Sequence, residues 1–84
     1  NPAPRLTIVN HWSEALGAKL AIFLDGVFQF TLERGETRMI MKLEFGERYL
    51  EAVDLNTGRT VMSQSFKVED NDAYEWDIKK ITGS

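Results

Sequence analysis

His11 is the only imidazole in this 84-residue chain, and cysteine is absent. A histidine-based nucleophilic site needs a hydroxyl or thiol together with a carboxylate that orients the ring. Nothing within a few residues of His11 supplies that set. The simpler reading is a strand-end residue beside Trp12, available for contact, and no catalytic residue is assigned. Without cysteine there is neither a thiolate metal site nor a disulfide framework. Glu69-Asp70-Asn71-Asp72 puts several oxygen ligands into one short stretch, the donor type that calcium prefers. The glycine and the distal bidentate glutamate of a helix–loop–helix calcium site are missing, so turn chemistry through Asx-type bonds is expected there instead. The six glycines are isolated from one another and sit where turns belong, which removes a glycine-rich phosphate loop. No cofactor or metal is expected, and the chain reads as a non-enzyme.

Two further groups of residues suit binding. Trp12, Tyr49, Tyr74 and Trp76 carry rings large enough to stack on a sugar or a base. Trp76 is in phase with Tyr74 and Ile78, the pattern of a core strand, whereas Trp12 lies outside any periodic run, where an exposed ring is expected. Arg34, Arg38 and Lys42, with Arg48 as a fourth member, would form a basic strip along the outer face of one hairpin, able to attract an acidic partner or phosphates. Outward charges are also the ordinary means of keeping a sheet soluble, and without interleaved exposed aromatics no nucleic-acid partner is expected.

These side chains must be positioned by strands. Alternation predicts strands over residues 5–11, 18–24, 27–33, 37–43, 47–54, 60–66 and 73–79. In the first, Leu6 and Ile8 share a face. Residues 13–16 would make either a helical turn capped by Gly17 or a loop. Asp25-Gly26 is the clearest hairpin signal, because both central residues of a type I′ turn need positive φ. Inward sets are expected at Leu20, Ile22 and Leu24; at Phe28, Phe30 and Leu32; at Met39, Met41 and Leu43; and at Tyr74, Trp76 and Ile78. Arg38 and Lys42 are expected to point out. Between residues 47 and 54, Leu50 with Ala52 competes with Tyr49 and Val53 for the core. The serines and Gln64 of residues 60–66 mark an edge strand, and residues 5–11 are the other expected edge. Strands at roughly ten-residue spacing with turns between them predict an all-β, immunoglobulin-like antiparallel β-sandwich of about seven strands.

Leu24-Asp25-Gly26, and the run from Phe45-Gly46 to Asp54 followed by Thr57-Gly58-Arg59, resemble bacterial PEGA-like surface domains and related immunoglobulin-like repeats over residues 18–66. Phe45 stands where that pattern has proline, and the PEGA tetrad itself is absent. The resemblance implies an interaction or spacer module of a cell envelope, periplasmic or surface-exposed and of the lipoprotein type, with no active-site residues.

Length and composition set the outer limits. The chain fits one domain, assigned to residues 5–81, with 1–4 read as a linker or processed tail and 82–84 as a flexible end. Hydrophobic residues make up 43% and charged residues 27%, enough apolar surface for a core and too much for a disordered chain. A net charge of −3 argues against bulk electrostatic binding to nucleic acid. No transmembrane segment is expected, since no apolar run has a membrane-spanning length. The expected activity is protein–protein contact, with carbohydrate binding through exposed aromatic residues as the alternative. The binding candidates are Trp12, His11, Tyr49, Arg34, Arg38 and Lys42.

Overall fold

The computed structural model describes residues 3–12 and 19–79. The turn expected at residues 13–17 and the end expected at 82–84 lie outside the described residues. Seven strands form in chain order: β1 (Arg5–His11), β2 (Leu20–Leu24), β3 (Val27–Leu32), β4 (Thr37–Ile40), β5 (Gly46–Asp54), β6 (Thr60–Val68) and β7 (Ala73–Lys79). They make a β-sandwich: a three-stranded sheet in the order β4-β1-β7 and a four-stranded sheet in the order β3-β2-β5-β6. No helix among the described residues is long and apolar enough to cross a membrane.

The strand order differs in detail from the constant-type immunoglobulin order, which splits its strands ABED and CFG. Here the hairpins β2–β3 and β5–β6 each remain inside one sheet. One ladder is parallel, because β1 and β7 run in the same direction from Arg5↔Ala73 to His11↔Lys79. β1 is therefore central in its sheet and not the expected edge, while β6 is an edge as its serines and Gln64 suggest.

Local chemistry explains the hairpins. Asp25 (φ 52°) and Gly26 (φ 81°) both take positive φ, which turns β2 into β3 with the twist its strands need. Asp25 also reaches β5: its amide donates to the Tyr49 carbonyl at 2.7 Å, and its Oδ1 accepts from the Tyr49 amide at 2.9 Å. Between β5 and β6, the Asp54 carboxylate accepts from the Asn56 amide at 2.7 Å, and the Asp54 carbonyl accepts from the Gly58 amide at 2.8 Å. Pro4, assigned from sequence to a tail, is buried, and its carbonyl accepts from the Leu43 amide at 2.9 Å.

The core lies between the sheets. Leu6 and Ile8 from β1 meet Leu20 and Ile22 from β2, Leu50 and Ala52 from β5, and Trp76 and Ile78 from β7. The competition on β5 is thus decided for Leu50 and Ala52, leaving Tyr49 and Val53 on the outer face. Three inward expectations fail, for two reasons. Ile22 pairs with Phe30 but Phe23 pairs with Phe28, so Gln29 is an extra, bulged residue that reverses the phase of β3. Phe28 therefore emerges on the outer face, 54% exposed, edge-to-face with Phe23 at 5.8 Å. On β4, Leu6 pairs with Ile40 and Thr7 with Met39, so Ile40 takes the inner face and Met39 the outer. The strand stops at Ile40; Met41 is exposed and Leu43 returns to the core from outside the strand.

Candidate functional site

The six binding candidates do not form one site. His11 ends β1, where the parallel register puts Asp77 of β7 within reach: His11 Nδ1 lies 2.7 Å from Asp77 Oδ1. The second oxygen of Asp77 is 3.6 Å from Lys79 Nζ. The orienting carboxylate absent from the sequence around His11 is thus present, supplied 66 residues away. Among the described residues, no hydroxyl hydrogen-bonds to the pair, so they hold two of the three members of a nucleophilic triad and lack the nucleophile.

Trp12 is half-buried and packs against the core, contrary to the exposed ring expected there. Its backbone amide donates to Asn10 Oδ1 at 2.9 Å, which anchors the residue to the end of β1. Its Nε1 is buried with no acceptor among the described residues. Tyr49, in contrast, is exposed on the outer face of the four-stranded sheet. One ring packs on the interior and the other faces out from β5, so Trp12 and Tyr49 do not make a joint platform.

The basic strip also comes apart. Arg34 belongs to the turn between β3 and β4, and Lys42 follows the opposite end of β4. Arg38 is exposed, as expected, but it pairs with Ile8 and so lies on the inner side at the sheet edge and not on the outer face. Its guanidinium sits 5.6 Å from the centre of the Phe30 ring, closing the sandwich along the β3–β4 side as a cation–π contact. Arg48 lies on β5 in the other sheet, paired with Asp25 at 3.1 Å and Glu44 at 3.7 Å.

The acidic residues 69–72 are tied down by a hydroxyl. The Glu69 and Asp70 amides donate to Tyr74 Oη at 3.2 and 3.4 Å, in place of the expected Asx-type bonds. Among the described residues, no three His, Asp or Glu side chains are grouped to hold a metal ion.

Two surfaces are visible only in three dimensions. The first is an aromatic patch on the outer face of the four-stranded sheet. Phe28 lies opposite Phe23, Phe23 opposite Glu51, and Tyr49 is two residues along β5 from Glu51 on the same face. The bulge at Gln29 creates this patch; the alternation of Phe28 and Phe30 alone gives no sign of it.

The second surface is a cleft of about 220 Å³ between β6 and β7, the free edges of the two sheets. Leu6 and Leu50 line it together with Phe66, Tyr74 and Trp76, and Gln64 and Glu75 complete it. Gln64 pairs with Leu50 and shares the inner face of the sheet, yet it is exposed, because the sandwich is open here. Its Nε2 donates to the Ser65 carbonyl at 3.0 Å, so a side chain serves a backbone acceptor on this edge. Where Arg38 closes the β3–β4 side, the Phe66–Tyr74 ring contact at 5.8 Å only partly closes this one. A polar residue in an inward phase of an edge strand was the available sequence signal. No family model, no curated protein and no solved structure matches the chain.

Proposed function

We propose that the chain is a non-catalytic protein-interaction module that receives an extended segment of a partner along the free edge of β6. The observation that carries this reading is the coincidence of a nine-residue edge strand with the mouth of an apolar cleft. An edge strand offers a row of main-chain donors and acceptors, and a cleft beside it takes alternate side chains of the added strand. On the PEGA-like resemblance of Leu24-Asp25-Gly26 and residues 45–59, the setting we propose is a bacterial envelope, where the domain binds or spaces larger units.

The test is a library of seven-residue extended peptides titrated into the 15N-labelled chain. Binding is expected to shift the amides of β6 and the Trp76 indole, and Gln64→Lys is expected to abolish those shifts without lowering the melting temperature. A library in which no peptide moves the β6 amides overturns the reading.

Carbohydrate binding is the second reading, favoured by Phe28 and Tyr49 being exposed on one sheet face beside Glu51. Rings for stacking next to a carboxylate suit a hydroxyl-rich ligand. A saturable glycan-array signal lost in Phe28→Ala and retained in Gln64→Lys would favour this reading over strand addition.

A further inference from the structure

The cleft between β6 and β7 also carries information about which segment it would accept, an inference that rests on strand addition at β6. Its floor and walls are apolar: Leu6, Leu50, Phe66, Tyr74 and Trp76. A side chain entering between the sheets must therefore be apolar, because a polar one would leave its hydration unreplaced. Trp76 adds a specific feature. It is only 6% exposed, and its Nε1 has no acceptor among the described residues. That nitrogen is buried, so Trp76 offers an entering segment its ring and no donor.

The surroundings of the cleft are acidic. Glu75 lines it, and Tyr74, which also lines it, holds the loop bearing Glu69, Asp70 and Asp72 through its hydroxyl. Lys67 Nζ lies 3.5 Å from Glu69 and offsets that one carboxylate. Asp70, Asp72 and Glu75 make no ion pair among the described residues. Unpaired carboxylates around an apolar opening attract cations and disfavour an acidic segment, which sets specificity and association rate more than total affinity.

We infer that the occupant is an extended peptide segment with a single apolar anchor flanked by lysine or arginine. The anchor enters the cleft, the main chain pairs with β6, and the basic flanks lie against Glu75 and the residue 69–72 loop.

Two synthetic heptapeptides test this: acetyl-Lys-Thr-Val-Phe-Val-Thr-Lys-amide, and its counterpart with glutamate in place of both lysines. Each is titrated into the full chain at low and high salt, with tryptophan fluorescence and amide shifts as readouts. The lysine peptide is expected to bind at least about tenfold more tightly at low salt, with the difference collapsing near 1 M salt, where screening is nearly complete. Glu75→Lys is expected to reduce the preference several-fold while the melting temperature holds. If both peptides bind equally at β6, strand addition survives and the basic-flank inference falls. If the glutamate peptide binds better, the inference is likewise overturned. If neither peptide perturbs β6 at millimolar concentration, both the docking edge and its charge preference are rejected.

Discussion

Asn10 of β1 donates from Nδ2 to the Leu32 carbonyl of β3 at 3.1 Å, a fully buried bond that ties the three-stranded sheet to the four-stranded one. The same side chain accepts from the Trp12 amide through Oδ1 at 2.9 Å. Its backbone is engaged as well: the Asn10 amide donates to the Glu36 carbonyl, and the Asn10 carbonyl accepts from the Gly35 amide. One buried polar residue, in phase with Leu6 and Ile8, thus fixes the end of β1, the β3–β4 turn and the position of the Trp12 amide. Removing its amide leaves a buried acceptor and a part-buried donor unsatisfied. Asn10→Ala is expected to cost about 2–3 kcal/mol in urea unfolding. Asn10→Asp, which keeps the shape but sets an acceptor against the Leu32 carbonyl, is expected to cost more. An Asn10→Ala variant as stable as the parent would show that the bond does not join the sheets.

Arg38 closes the β3–β4 side over the Phe30 ring, and that contact can be measured. The guanidinium is partly solvated, so the coupling is expected to be about 0.5–1 kcal/mol. A double-mutant cycle of Arg38→Ala and Phe30→Leu isolates it from the loss of each side chain alone. Additive effects in the cycle would mean that Arg38 contributes only as an outward charge, as the strand pattern alone suggests.

Trp12 is expected to behave as a structural residue. With Trp12 packed on the core and Trp76 buried, iodide should quench neither ring freely. Trp12→Ala is expected to destabilise the fold by about 2 kcal/mol, less than a fully buried tryptophan because the ring is only half-covered. A freely quenched component that disappears in Trp12→Phe would instead put the ring in solvent and restore it as a contact residue.

These outcomes separate what is legible in the chain from what is not. Local signals carry the fold. Asp25-Gly26 demands a type I′ turn whatever surrounds it, and Leu6 with Ile8, or Trp76 with Ile78, can alternate only one way against a core. The β-sandwich follows from such segments. Errors arise where two phases are both apolar and a distant partner chooses between them, as for Met39 against Ile40, which pairing with Leu6 decides. The candidate site is less legible because its parts are non-local. His11 meets Asp77 only through the parallel β1–β7 ladder, and Gln64 becomes a cleft residue only because β6 and β7 are both free edges. No spacing within one strand encodes the first relationship, and the second leaves only the trace of Gln64, a polar residue in the inward phase of β6.

The bulge at Gln29 gives the sharpest test of register. Without it, Phe28 and Phe30 would share the inner face, and replacing either with serine would open a comparable hole. With Ile22 opposite Phe30 and Phe23 opposite Phe28, the two rings lie on opposite faces. Phe30 packs against the core, whereas Phe28 touches Phe23 on the outer face. Phe30→Ser is therefore expected to cost about 3 kcal/mol, through lost burial and a polar group set against the core. Phe28→Ser should cost about 1 kcal/mol, the worth of an exposed edge-to-face pair. Deleting Gln29 removes the extra residue and leaves Phe30 opposite Ile22 and Phe28 opposite Phe23, so it is expected to keep the rings on opposite faces and to cost less than Phe30→Ser. Chemical denaturation of the three variants ranks them. Equal losses for Phe28→Ser and Phe30→Ser would place both rings in the core and remove the outer aromatic patch.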